Sequence, residues 1–262
     1  MVANNVSSNV TVVDENGINP PQTLPLCAGC TGPTGVGIEQ DTANAIVAAS
    51  GPDTACSTVT SGCEVSFFHL APTGSAAGAS VQVNQSPVSV ATDPNGDRFA
   101  AIGAASQAGS IDVIDLLTST VTCRVSGVQL PSGVVFDPVN QVFVAANSLQ
   151  NNIVIVDPLT CIPTTVRVGI NPTSIDYNFQ TSTLVTVNSA SNTMSFLDYM
   201  CPPAVGVPVT CTSPQTRAIF GLPSSAKFSQ NQQFSVAIDA KLNLAVVVDT
   251  NNSRVLLIPL PH

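Results

Sequence analysis

Along this chain apolar, β-branched residues gather in short runs broken by turn residues, and no segment holds an apolar period of 3.6 over about ten residues. The pattern therefore predicts short strands and almost no helix. The runs recur with one internal ruler. A proline opens the unit, a β-rich segment follows, an acidic or amide turn comes six residues on, and a second pair of runs ends in Asp. The clearest copy opens Pro131-Ser-Gly-Val-Val-Phe-Asp137, continues Gln-Val-Phe-Val-Ala-Ala-Asn147 and ends Asn-Ile-Val-Ile-Val-Asp157. The next runs from Pro172 to Asn178, through Thr183-Leu-Val-Thr-Val-Asn188, to Thr193-Met-Ser-Phe-Leu-Asp198. From opening to close, 26 positions separate Pro131 from Asp157, Pro172 from Asp198 and Gln233 from Pro259, and 28 separate Pro87 from Asp115. A unit of this length cannot bury its own apolar faces, so copies must stack on one another, as in a β-propeller.

The two halves of the unit are unequal in number. Opening segments stand at Pro33, Pro87, Pro131, Pro172 and, in degenerate form, Gln233; closing runs end at Asp14, His69, Asp115, Asp157, Asp198 and Pro259. The extra closing run is the N-terminal Val10-Thr-Val-Val-Asp14. We expect it to complete the last unit as its outermost strand, which gives five blades in a single domain spanning residues 1–262 and removes an unpaired edge. Two alternatives stand beside this: six blades, with residues 9–31 forming a partial blade, or docking of the same strand into a neighbouring molecule, which builds a head-to-tail assembly.

Composition assigns a compartment. Hydrophobic residues make up 44% of the chain and charged residues only 9%, so the surface is covered by Ser, Thr, Asn and Gln. No apolar run reaches the roughly 18 residues of a membrane span. The eight cysteines, Cys27, Cys30, Cys56, Cys63, Cys123, Cys161, Cys201 and Cys211, are expected in disulfides, placing the protein outside the cell, at the cell surface or in the periplasm. Sequence proximity suggests Cys27 with Cys30, Cys56 with Cys63 and Cys201 with Cys211, which leaves Cys123 and Cys161. Pro20, Pro21, Pro25 and Pro33 surround the Cys27-x-x-Cys30 motif and exclude the helix that a redox dithiol needs. Residues 1–14 have neither the basic start nor the apolar stretch of a secretory leader, so we read the chain as a mature domain.

Seven basic residues against 16 acidic ones, for a net charge of −9, exclude nucleic acid and anionic lipid, whose binding needs clustered Lys and Arg. Partners are expected to be neutral or basic proteins or other extracellular ligands. Tryptophan is absent, which removes the usual stacking platforms of sugar sites. In a propeller, chemistry belongs around the central channel. Small hydroxyls stand near the starts of the opening segments at Thr34, Ser89, Ser132, Thr173, Ser174 and Ser235. A second set stands near the ends of the following strands: Ser50, Ser106, Asn147, Asn188 and Asp249. Asn147, Asn188, Asp249 and Ser50 are the candidate binding residues, with capping of their own turns as the structural alternative. No catalytic residue is assigned. The turn Asp93-Pro-Asn-Gly-Asp97 begins like a calcium loop, but it lacks the closing glutamate and occupies a hairpin position.

Val142-Phe-Val-Ala-Ala-Asn-Ser-Leu-Gln-Asn-Asn-Ile-Val-Ile-Val-Asp157, followed by Thr165-Val-Arg-Val-Gly-Ile-Asn-Pro172, resembles the YVTN type of propeller repeat and, more distantly, the NHL class. The resemblance covers about two thirds of the chain and implies a propeller fold in an extracellular or cell-surface setting, acting as a binding or structural assembly module; it implies no single activity. The alternative is a metal-dependent lactonase or hydrolase of the propeller class. That class holds a divalent ion, with calcium the candidate here, by Glu, Asn and Asp ligands that Glu39, Asn147, Asn188 and Asp249 would imitate.

Overall fold

The computed structural model describes residues 1–14, 16–26, 30–39, 43–50, 64–71, 74–84, 86–94, 98–105, 109–198, 215–221 (backbone only), 235–249 and 253–260. The chain divides into two compact units, Met1–Pro131 and Ser132–His262. Among the described residues every regular element is a strand, and the strands form six antiparallel sheets, each a meander of consecutive strands.

The first unit holds β1 (Val2–Asn4), β2 (Asn9–Val12) and β3 (Gln22–Pro25) in one sheet. A second sheet holds β4 (Pro33–Glu39), β5 (Asn44–Ala49), β6 (Glu64–His69) and β7 (Ala76–Gln82). A third holds β8 (Pro87–Thr92), β9 (Phe99–Ala104), β10 (Ser110–Asp115) and β11 (Thr120–Ser126). The second unit holds β12 (Pro131–Asp137), β13 (Val142–Asn147), β14 (Asn152–Val156) and β15 (Pro163–Arg167). Next come β16 (Pro172–Asn178), β17 (Thr183–Asn188), β18 (Thr193–Asp198) and β19 (Gln215–Gly221). The last sheet is β20 (Ser235–Asp239), β21 (Leu244–Asp249) and β22 (Arg254–Pro259). The opening proline is the first residue of β4, β8, β12 and β16, a position that tolerates its missing N–H.

Turn chemistry fixes the register. Asp137 at the end of β12 accepts hydrogen bonds from the N–H groups of Val139 and Asn140, and Asn178 at the end of β16 accepts those of Gln180 and Thr181. Asp115 does the same for Leu117 and Thr118. The residue that re-enters the next strand takes a positive φ, as at Ser119 (52°), Gln141 (56°), Asn151 (56°) and Ser182 (55°). Small polar side chains suit both jobs.

The second strand of each four-stranded sheet carries buried apolar residues on both faces, and β9, β13 and β17 are buried throughout. Sheets stack face to face within each unit. In the second unit Val144, Ile155, Ile175, Tyr177 and Leu184 form one core between the first two sheets. Val187, Met194, Phe196, Val236 and Val247 form the next. Each such side chain contributes roughly 1.5–3 kcal/mol by leaving water.

Opening strands approach one another so closely that side chains must vanish. A Cβ at Gly35 would lie 2.9 Å from the Cα of Ser89, and one at Gly37 would lie 2.7 Å from Cγ1 of Val90. Hydroxyls then cross the gap. Thr34 donates to the carbonyl of Pro87 (3.1 Å), Thr92 to that of Ile38 (3.0 Å) and Ser132 to that of Pro172 (2.8 Å).

The N-terminal strand departs from expectation. β2 does not complete the last sheet: it is flanked by β1 and β3, with Val10 opposite both Ala3 and Leu24. Its sheet is fastened to the next one in the same way as later sheets are. Asn5 donates to the carbonyl of Pro33 as Ser148 donates to that of Pro172, and Gln22 bonds Ala71 and Ser75. The N-terminal sheet thus supplies the second, third and fourth strands of a repeat, and the C-terminal sheet the first, second and third. The expected closure of a five-bladed ring by Val10–Val13 is corrected, because both edges of β2 are already hydrogen-bonded.

Cys30, Cys123 and Cys161 are each disulfide-bonded, and there is no free cysteine among the described residues. Cys27, Cys56, Cys63, Cys201 and Cys211 lie outside those residues.

Candidate functional site

Three of the four candidate binding residues occupy one register position. Asn147, Asn188 and Asp249 each end the second strand of their sheet, opposite Asn152, Thr193 and Arg254 on the third strand. All three are buried, at 1%, 0% and 2% exposure. Asn147 donates to Oε1 of Gln150 (3.0 Å), while Asn188 donates to the hydroxyls of Ser195 (2.9 Å) and Thr193 (3.2 Å). The Oδ1 atoms of both asparagines are buried without a hydrogen-bond partner. Asp249 accepts from Nε of Arg254 at 2.9 Å, which neutralises its charge.

Ser50 falls one residue past that position. It belongs with Ser189: each follows the second strand, and its N–H and hydroxyl bond the carbonyl that precedes the opening proline, Gly32 for Ser50 and Asn171 for Ser189. Ser106 lies outside the described residues. Glu39 occupies a different register position from Asn147, Asn188 and Asp249. It is buried at the end of β4, accepts from Asn44 at the start of β5 (3.4 Å), and Asn44 in turn reaches Nδ1 of His69 (3.2 Å). Ser50 follows the other end of β5, roughly 16 Å away along a six-residue strand. No cluster of three or more His, Cys, Asp or Glu side chains is found among the described residues. The turn Asp93–Asp97 is described only as far as Pro94.

Several opening-strand hydroxyls have structural work, whereas that of Ser89 is buried without a hydrogen-bond partner. Besides Thr34 and Ser132, Ser174 accepts the N–H of Val236 (3.1 Å), and Thr173 is paired with Ser189 (2.9 Å). Two polar groups escaped the sequence reading. Asp112, fully buried in β10, takes both guanidinium bonds of Arg124 (2.9 and 2.7 Å), the Ser110 hydroxyl and the N–H of Asn84. Its bond pushes the Arg124 guanidinium further above its usual range. A lone charge within Ile111-Asp-Val-Ile114 was the signal. Asp176 in β16 accepts the N–H of Ile238 (2.7 Å) and of Tyr177 (2.8 Å), yet burial outweighs those bonds and pushes its carboxyl above the ordinary value.

Among the described residues, clefts open to solvent in each unit. One, of about 360 Å³, lies in the first unit between Val12, Asp14, Asn19, Gln22 and Leu70. Two backbone N–H groups and the Asn19 amide hold the Asp14 carboxyl below its usual value. The other, of about 470 Å³, lies in the second unit between Phe179, Gln180, Asp239, Lys241 and Val246. The outer face of the last sheet is apolar and exposed at Val248 (38%), Val255 (57%) and Leu257 (65%).

Stacked antiparallel meanders define a propeller-like all-β protein whose sheets are joined by hydroxyl and carboxylate hydrogen bonds. Comparison with solved structures agrees on the fold. The chain is similar to a functionally unknown protein from Desulfotomaculum acetoxidans DSM 771, with a TM-score of 0.70, 11% identity, and coverage of 98% of this chain and 77% of that one. It is similar also to Kuenenia stuttgartiensis hydrazine synthase, with a TM-score of 0.71, 15% identity, and coverage of 98% and 79%. No family model and no curated protein matches the sequence.

Proposed function

We propose that the chain is a rigid, disulfide-braced propeller of YVTN-like type that works outside the cell or at its surface, as a binding and assembly module for neutral or basic protein partners. One observation carries this reading. Several side chains that chemistry would recruit are engaged inside the sheets: Asp249 is paired with Arg254, Asn147 and Asn188 are buried, and the hydroxyls of Thr34 and Ser132 bond neighbouring backbone. What remains for partners is a surface poor in charge, with an apolar face on the last sheet. Disulfide-bonded cysteines are compatible with an oxidising setting, and among the described residues no helix is long and apolar enough to cross a membrane.

The expected outcome is no turnover on chromogenic lactones, esters or glycosides, with or without added calcium. Activity that Asn147→Ala or Asp249→Asn abolishes in a still-folded protein would favour the metal-dependent hydrolase instead.

A further inference from the structure

We propose that β22 is a pairing edge through which two copies of this chain join, antiparallel, into one continuous six-stranded sheet. The proposal rests on the assembly-module reading and names its partner. In the four complete sheets the third strand is covered on its outer side by a fourth: β6 by β7, β10 by β11, β14 by β15 and β18 by β19. β22 is a third strand, and among the described residues it pairs with β21 alone. Its outer N–H and C=O groups form a ready template for another strand.

Unlike the outer strands of its sisters, this edge carries blunting residues only at its two ends. β11 and β15 present Thr120, Arg124 and Arg167, and the pairings of β7, β11 and β19 with their third strands are interrupted by register shifts. β22 runs in unbroken register with β21. Its single charge, Arg254, stands at the first position and is held by Asp249, its proline stands at the last, and Val255-Leu-Leu-Ile258 between them is wholly apolar. Val255 and Leu257 are more than half exposed, with Val248 beside them on β21.

Self-complementarity selects a second copy as the occupant. With the two-fold at Leu256, antiparallel pairing sets Val255 opposite the second copy's Leu257 and Leu256 opposite its own equivalent, so these three positions each meet an apolar one on the same face, while Ile258 stands opposite the second copy's Arg254. The two Arg254 side chains fall at opposite ends. A hydroxyl-rich strand such as β15 would leave Val255 and Leu257 without apolar neighbours, and cross-strand apolar pairs are what stabilise such a join.

Sedimentation equilibrium on the 262-residue chain tests the idea, with Leu257→Lys as the variant. The expected result is a dimer whose dissociation constant rises by about tenfold or more in the variant, with an unchanged melting curve at concentrations where both proteins are monomeric. A wild-type chain that stays monomeric throughout, a dimer that Leu257→Lys leaves intact, or a monomer that takes up a peptide with the Pro163–Arg167 sequence at this edge would each overturn it. If Leu257→Lys does not fold, Val255→Thr replaces it. The readout is then hydrogen exchange of the β22 amides, which must become slower with rising protein concentration; protection independent of concentration overturns the pairing. Turnover in the assays above would remove the binding-module reading while leaving the dimer, and a monomer without turnover would do the reverse.

Discussion

Asp176 shows how much one side chain is asked to do between two sheets. Its carboxylate receives the Ile238 N–H from β20 at 2.7 Å, yet burial raises its pKa above the ordinary value of 3.8. A raised carboxyl binds its proton more tightly in the folded state than in the unfolded one, so its favourable contribution is complete below pH 3.8 and is lost as pH rises through the folded value. Asp176→Asn keeps an acceptor for Ile238 and removes the titration. Urea midpoints of both proteins between pH 3.5 and 7 are therefore expected to show the variant gaining on wild type as pH rises; a difference independent of pH would refute the assignment. The capping residues were legible from sequence, since Asp137, Asn178 and Asp115 sit where a turn must begin. The buried Asp112 and Asp176 were not, because their partners, Asn84 and Ile238, lie 28 and 62 residues away.

At the scale of the strand, the opening segment is shaped by what crosses it. Gly35 and Gly133 occupy the third position of β4 and β12, and at both a Cβ would press on the next opening strand, at 2.9 Å from Ser89 Cα and 3.2 Å from Ile175 Cγ2. The first contact is with backbone, which cannot swing aside. Gly35→Ala is expected to cost about 1–3 kcal/mol in chemical denaturation, whereas Gly74→Ala, with nothing within 4 Å, should change stability little. Equal effects at the two sites would show that the close approach carries no energetic weight. Sequence reading singled out the serines and threonines near the starts of these strands, and Thr34, Ser132 and Ser174 fasten one sheet to the next.

For the molecule as a whole, low charge leaves few ion pairs to share the load, and the disulfides at Cys30, Cys123 and Cys161 take part of it. Loss of a native disulfide typically costs about 2–5 kcal/mol, so thermal unfolding in the presence of dithiothreitol is expected to begin well below that of the oxidised protein. Coincident melting curves would mean that the bridges brace nothing. The net charge of −9 opposes close approach of copies, and pairing through the uncharged centre of β22 is expected to strengthen with added salt as that repulsion is screened.

The sequence by itself determined the strands, their order and their turns: Pro131–Asp137, Val142–Asn147, Pro172–Asn178, Thr183–Asn188 and Thr193–Asp198 were all readable from the repeat and are all strands. Such features are written within a few neighbouring residues, by period-two alternation and by turn side chains bonding their own backbone. Only the tertiary structure decided that β2 belongs with β1 and β3, that Ser50 stands one place beyond the Asn147 position, and that Glu39 closes the far end of its sheet. Local pattern makes a strand, but the edge it joins is chosen by hydrogen bonds and packing between residues far apart in the chain, and two edges of similar composition look alike until they are paired.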